Sequence, residues 1–443
     1  MTVFAVEASA LRASRMRAAV VTALASKIAG IGVQLLAIPL AVRALGPQQF
    51  ALYAMMAAAA GWLTLAGVGV GPSLTVRVAS CLGDQRRESH LFLSGLFPVA
   101  LASIAAGAAF LAASWMLPLA TIFGQRTIVD ATEVRLGLSV LAVMLVLQAI
   151  ASVVESAQIG YQETHIQNIR GLVGNLATVA TVVSVATWWP SIIGLILAVS
   201  GPALLARLVN GIQFLTRRPH LLAHARSWSP RDSWALVRDG ISFAMAGGVG
   251  AFLTVQAPVI LVGRTVGTIE AASFAAAMNL FVVAAGMVTM VMTPLWPAVA
   301  DAMAHRDRLW LQGSYRRLLG FGLAYALAAA ASVGAGGHLI MRFWVGPAIN
   351  MTPELAAAWA VAFVCHVWEY LHYMWLTGAG RIASSSLVYL GRAAGSALVM
   401  AVLVGRWGTA VPFLTFAVMV CTSSGWIFRR MYRNAIGAIN SEA

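Results

Sequence analysis

Ionisable side chains within apolar sequence cost several kcal/mol unless they are paired, hydrated or turned to a cavity, so each one here is a candidate for chemistry. The densest group is Cys365-His366-Val367-Trp368-Glu369-Tyr370-Leu371-His372-Tyr373-Met374-Trp375. On a helix His366, Glu369 and His372, spaced by three, sit close enough on one side to share a proton, which suits ion coupling. Trp368, Tyr370, Tyr373 and Trp375 add flat faces with polar tips that suit sugar rings and equally suit a packing belt. The pair of His residues four apart that is usual for a metal site is missing, so metal binding by His366, Glu369 and His372 is disfavoured.

Further charges and amides lie in other apolar runs. Lys27, the single Lys beside 28 Arg, shares a face with Gln34 seven residues on. This pair reads as the cationic, polar side of a cavity, or as a Lys that snorkels to the interface. Gln148, Ser152, Glu155, Ser156, Ile159 and Gln162 recur at spacings of three and four, a polar stripe on one helix face. That stripe either lines a cavity through Glu155 or serves interhelical hydrogen bonding. Asn168, Arg170 and Asn175 follow, then Arg207 and Asn210. Arg170 and Arg207 read as interfacial anchors, whereas Arg392, about ten residues into its helix, is too deep to snorkel easily.

These residues must be positioned by membrane helices. The 443 residues are 60% hydrophobic and only 10% charged, which excludes a soluble multidomain protein. At about 20 apolar residues per crossing, the apolar runs predict twelve helices. They fall at 18–42, 49–71, 91–116, 134–159, 168–187, 190–214, 240–264, 269–296, 317–341, 354–377, 382–405 and 408–430. The weakest division is Trp188-Trp189-Pro190; merging there would leave eleven. The first run is too long for a signal-peptide core. Cys81, Cys365 and Cys421 are far apart in sequence, odd in number and without a Cys-x-x-Cys spacing, which indicates neither zinc nor a disulfide framework.

The formal net charge of +14 would ordinarily raise nucleic acid as a partner. The arginines instead cluster on alternate loops: Arg12, Arg15 and Arg17; Arg77, Arg86 and Arg87; Arg217, Arg218, Arg226, Arg231 and Arg238; Arg306, Arg308, Arg316 and Arg317; Arg429, Arg430 and Arg433. By the positive-inside rule both termini are cytoplasmic, and nucleic acid is not expected as a partner. The polar segment 215–239 separates six helices from six. The expected organisation is a tail 1–17, an N-lobe 18–214, a connector 215–239, a C-lobe 240–430 and a tail 431–443. Arg43-Ala44-Leu45-Gly46 with Tyr53-Ala54 recurs 221 residues on as Arg264-Thr265-Val266-Gly267 with Phe274-Ala275. Pro72 matches Pro294 at nearly that offset. Six helices per half relates the lobes by an axis along the membrane normal, a repeat geometry of secondary transporters. No Gly-rich run ending in Gly-Lys-Ser/Thr occurs, so ATP-driven transport by this chain alone is unsupported.

Ser26-Lys27-Ile28-Ala29-Gly30, Arg43-Ala44-Leu45-Gly46-Pro47 with Phe50 and Tyr53, and Gly67-Val68-Gly69-Val70-Gly71-Pro72 resemble the opening of polysaccharide-export, O-antigen-type flippases of the multidrug/oligosaccharidyl-lipid/polysaccharide superfamily. Gly160-Tyr161-Gln162-Glu163 before Gly174-Asn175, and Pro294-Leu295-Trp296-Pro297-Ala298, extend the likeness. The resemblance implies an all-α membrane protein of two six-helix lobes in a V shape. It implies a multi-pass inner-membrane monomer that moves a lipid-linked oligosaccharide between leaflets, without an organic cofactor and driven by an H+ or Na+ gradient. Membrane lipids and a glycan polymerase or export machinery would be its partners. On this sequence it places Lys27 and Arg392 as phosphate or sugar contacts, with Gln34, Glu155 and Asn175 lining the cavity. Relatives often carry an acid in the seventh helix, where this chain reads Gln256-Ala257-Pro258-Val259, so either Glu155 or Glu369 would carry coupling or the protein would run as a facilitator. Gly30, Gly32, Gly247, Gly248, Gly250 and Ala275 to Ala277 would let helices approach and separate as a gate. A cation-coupled drug or small-solute antiporter is the alternative. A membrane polymerase or acyltransferase is disfavoured because 117–133, the longest loop on the other side, is short and plain. A structural subunit without transport activity is the remaining alternative.

Overall fold

The computed structural model describes residues 2–65, 69–119, 123, 130–223, 228–292 and 295–441, and every regular element among them is a helix. Gly67, Val68, Arg226 and Pro294, used above, lie outside the described residues. The helices are α1 (Thr2–Ala60), α2 (Val70–Ala79), α3 (Gln85–Met116), α4 (Ala131–Gly160), α5 (Thr164–Trp188) and α6 (Ile192–Thr216). After one helical turn, His220–Ala223, come α7 (Pro230–Phe243), α8 (Ala257–Thr265), α9 (Thr268–Met292), α10 (Leu295–Ala304), α11 (Arg308–Trp344), α12 (Pro353–Gly378), α13 (Ile382–Trp407), α14 (Val411–Met419) and α15 (Gly425–Ser441).

Nine helical stretches among the described residues are long and apolar enough to cross a membrane. Two of them turn at a glycine: Val21–Thr64 at Gly46, with φ 77° and ψ 165°, and Ile382–Ala438 at Gly408, with φ 78°. Positive φ is accessible to glycine without a Cβ clash, which is why the chain breaks at these two positions. Dividing there gives eleven stretches, and α12, whose polar aromatics and ionisable groups dilute its apolarity, makes twelve. The doubtful division at Trp188 is a true break, because Ser191 caps α6 by accepting from the Gly194 N–H. Asp84, Asp130, Asp307 and Thr352 start α3, α4, α11 and α12 in the same way.

The chain divides into two compact units. The first comprises residues 1–45, 60–118 and 129–244, and the second comprises 46–59, 119–128 and 245–443. The expected N-lobe thus loses 46–59, whose Met55 and Met56 are fully buried, to the second unit. The first unit centres on Leu74, Phe92, Val99, Val153, Ala157 and Phe214. The connector is built into this core rather than lying outside it: Leu221 and Leu236 are buried there. Ser89 Oγ donates to the Leu221 carbonyl at 3.1 Å and Ser73 Oγ to the Leu236 carbonyl at 2.9 Å. At Gly240 a Cβ would lie 1.5 Å from the Gly69 carbonyl oxygen, so α7 approaches the start of α2 at a distance that only glycine allows.

The second unit packs Val299, Leu311, Trp375, Leu376 and Phe428 together. Residues 431–441, expected as part of a tail, continue α15, because Phe428, Tyr432, Ala435 and Ile436 form an apolar stripe of helical period against α11 and α12. The expected seventh helix is irregular. Two π-helical segments, Ala244–Gly250 and Phe252–Gln256, precede α8, which has Pro258 in its first turn. Proline lacks an N–H and clashes with the preceding turn, so the ladder widens before it.

Candidate functional site

The first unit holds a polar cavity of about 250 Å³ lined by Ser26, Glu155, Gln167, Asn168, Arg170, Asn175, Arg207 and Asn210, with the small residues Gly171, Gly174, Ala203 and Ala206 leaving the space. Arg207 Nε stands 3.5 Å from Glu155 Oε1. One turn along, Gln158 and Asn210 exchange amide hydrogen bonds at 3.3 and 2.7 Å. Glu155 and Gln158 on α4 therefore face Arg207 and Asn210 on α6 as two successive rungs. Asn175 Nδ2 donates to the Ser26 carbonyl at 3.0 Å, and Arg170 Nη2 to Gln213 Oε1 at 2.5 Å. These bonds fix the amide and guanidinium heads around the opening, where they can donate to phosphate or sugar oxygens.

A second cavity of about 370 Å³ takes Gln148, Ser152, Ser156 and Ile159 from α4, with Thr64, Pro72 and Thr75 opposite. Arg207 borders this cavity too. The α4 stripe is thus divided between two openings that share Arg207. Glu155 and Asn175 line the smaller cavity, whereas Lys27 and Gln34 are exposed residues of α1 that line neither. Arg170 and Arg207, read from sequence as anchors, are the cations that do.

In the second unit Arg392 and Glu369 form an ion pair with no side-chain exposure on either partner, Nε donating to Oε1 at 3.1 Å. Arg392 Nη1 also reaches Thr254 Oγ1 at 3.2 Å, in the π-helical segment before Pro258. The guanidinium lies 4.6 Å from the Tyr389 ring centroid and 4.4 Å from that of Phe416. Glu369 Oε2 and Arg392 Nη2 are buried with no hydrogen-bond partner. Arg392 is therefore turned into the protein in this structure rather than toward an opening.

The three ionisable residues of α12 do not form one proton-sharing group. His372 is held by Tyr315 Oη at 2.7 Å on Nε2 and by the Trp368 carbonyl at 2.8 Å on Nδ1. His366 lies among the rings of Phe281, Tyr370 and Phe416, with its Nδ1 unpartnered. Tyr373 is buried and shares a 3.3 Å hydrogen bond with Ser386. A spacing of three turns successive side chains through about 300°, and here different neighbouring helices claim each one. No group of three His, Cys, Asp or Glu able to hold a metal occurs among the described residues. Cys365 and Cys421 are brought together, Sγ to Sγ 3.8 Å, as free thiols.

At the arginine-rich end of the first unit a polar clamp joins the loops. Glu88 accepts from the Gly83 N–H at 2.7 Å, from Tyr161 Oη, and pairs with His220 at 2.8 Å. Burial, and then the Glu88 carboxylate, push the Tyr161 phenol well above its usual range. Arg218 bonds Glu163 at 2.6 Å and lies over the Tyr161 ring. Arg77 holds Asp239 at 2.6 Å and His90 holds Asp232 at 2.5 Å. These hydrogen bonds keep both carboxyls below the ordinary carboxylate range.

A family model described as "Polysaccharide biosynthesis protein" matches residues 17–303. No curated protein matches the chain. Among solved structures, the chain is similar to an inward-facing multidrug resistance MATE family transporter of the MOP superfamily, at TM-score 0.73 and 15% identity, over 95% of this chain and 99% of that one. It is similar to an outward-facing structure described in the same terms, at TM-score 0.64 and 13% identity, over 96% and 97%. A MATE structure in a bent conformation gives TM-score 0.60 and 15% identity over 97% of both chains. The chain is a multi-pass membrane protein with a MATE-like fold, and by its match over residues 17–303 it belongs to the polysaccharide biosynthesis protein family.

Proposed function

We propose that this protein is a secondary transporter of flippase type, not an enzyme. It moves a lipid-linked oligosaccharide or related envelope polysaccharide precursor across the inner membrane by alternating access, with both termini cytoplasmic. The observation that carries this reading is the family match over most of the chain, joined to a MATE-like fold whose first unit holds a polar cavity. Arg207, Arg170 and Asn175 contact the phosphate or sugar oxygens of the substrate, and Glu155 keeps Arg207 oriented between visits. Lys27, next in sequence to the cavity residue Ser26, supplies a further cation on the exposed side of α1. Gln34 contributes from the exposed face of the same helix.

Coupling to an H+ or Na+ gradient falls to Glu369, whose second oxygen is buried without a partner. Neutralising that carboxylate would release Arg392 and so change what the second unit can pack. His366, His372 and Tyr373 hold the helix that presents it. Multidrug antiport is the second reading, favoured by the multidrug transporters among the similar structures.

The two readings separate on Arg207→Ala and Glu155→Gln. The flippase reading expects each to lower envelope-glycan export at least tenfold at unchanged membrane abundance, with efflux of a cationic dye unaffected. Normal glycan export with dye efflux lost would replace this reading by the second.

A further inference from the structure

The second unit carries exposed arginines on two helices: Arg316 and Arg317 on α11, and Arg429, Arg430 and Arg433 on α15. Tyr315 stacks on Tyr432 there, ring centroids 3.8 Å apart and planes within 17°. Trp375 supports Tyr432 from 4.7 Å. The charges of Arg429 and Arg433 reach Tyr315, and that of Arg316 reaches Tyr432. Arg316, Arg429 and Arg433 are thus brought together around the stacked rings, and Arg317 and Arg430 adjoin them in sequence. Of the acids preceding α11, Asp307 is engaged by the Trp310 N–H and Asp301 faces His305.

Apolar side chains border the same helices. Trp426 is 69% exposed, Leu309 86%, and Ile427 is also exposed, while Phe428, Ala435 and Ile436 anchor the other face of α15 in the core. An acidic soluble partner would answer the charges and leave that apolar border in water. A phospholipid answers both, with its phosphodiester on the guanidiniums and its acyl chains against the apolar rim.

We propose that the α11 and α15 arginine patch of the second unit, fastened by the Tyr315 and Tyr432 stack, binds the headgroups of anionic phospholipids. A guanidinium fork donates to two phosphate oxygens at once. The patch therefore retains anionic lipids selectively instead of only repelling itself from the opposite side of the membrane. This property is independent of what the protein transports.

The test uses the full-length protein in detergent micelles containing equal phosphatidylglycerol and phosphatidylcholine, with retained lipid read by native mass spectrometry. Wild type retains phosphatidylglycerol in at least tenfold excess. Removing three charges with Arg429→Gln, Arg430→Gln and Arg433→Gln lowers that excess by up to about a hundredfold, toward parity. The matching triple Lys variant keeps most of it, and Arg86→Gln with Arg87→Gln in the first unit leaves it unchanged.

Should the triple Gln variant not fold, wild type alone decides, because the excess must fall several-fold between 50 and 500 mM NaCl. Parity in wild type, an excess indifferent to salt, an equal loss from the Arg86 and Arg87 changes, or a polyglutamate peptide bound in place of phosphatidylglycerol would each overturn the proposal.

Discussion

Arg392→Met is the most informative single perturbation of the second unit. It removes the guanidinium while leaving an unbranched apolar stem between the Tyr389 and Phe416 rings. The partner Glu369 has no exposed side-chain surface, so its carboxylate would be stranded. At a separation near 4 Å and an effective dielectric of about 20, the lost attraction is about 4 kcal/mol. Breaking a buried pair from one side typically costs about 3–5 kcal/mol, a similar figure.

For a unit of about 200 residues such a loss lowers the melting temperature by about 10 °C. Scanning fluorimetry of the detergent-purified protein reads it directly. Glu369→Gln strands Arg392 instead and should cost a similar amount. The double variant should recover most of the stability, since replacing both charges of a buried pair is often neutral. The two singles differ in one respect. A carboxylate can be neutralised by taking up a proton and a guanidinium cannot. Shifts below about 2 °C for both singles, or a double variant equal to their sum, would refute the closed ion pair.

Gly240→Ala should abolish a monodisperse folded preparation in size-exclusion chromatography, because the added Cβ would overlap the Gly69 carbonyl. Gln158→Leu alone should cost about 1–3 kcal/mol by stranding the buried Asn210 amide. Adding Asn210→Leu should return part of it in the same melting assay. Asp232 and Asp239 have carboxyls held low by His90 and Arg77. Their stabilisation is complete above the ordinary carboxylate range, near about pH 4, and is lost as pH falls through the lowered folded-state values. Arg77→Ala should flatten that part of the acid-melting profile, and an unchanged profile would remove Asp239 from the clamp. Tyr432→Ala should free the end of α15 and raise its hydrogen exchange without altering that of α4 to α6.

Most of the helices were legible in the sequence because apolar runs end at charges, prolines and capping residues. Their exceptions have physical causes. Gly46 breaks a continuous apolar run by adopting positive φ, and Pro258 widens the preceding turns into π-helix. The polar rungs were half legible. Glu155 and Gln158 are three apart, as are Arg207 and Asn210, and each facing pair is separated by 52 residues in sequence. Spacing within a helix shows a face, but which helix meets it depends on tertiary packing. Arg207 could therefore be read as an anchor until α4 lay against α6. The same limit hid the pairing of Arg392 with Glu369 and the approach of Cys365 to Cys421. In α12, proximity in sequence overstated contact among His366, Glu369 and His372, because Tyr315, Arg392 and the Phe281 ring approach from different sides.

The transport account is tested most directly by locating the lipid-linked glycan precursor. Spheroplasts with and without the protein are treated with an impermeant glycan-modifying reagent, and the modified fraction of the precursor is measured. The account predicts that without the protein the precursor accumulates and stays unmodified, and that wild type, but not Arg207→Ala, restores modification. A precursor equally modified in the absence of the protein would contradict it.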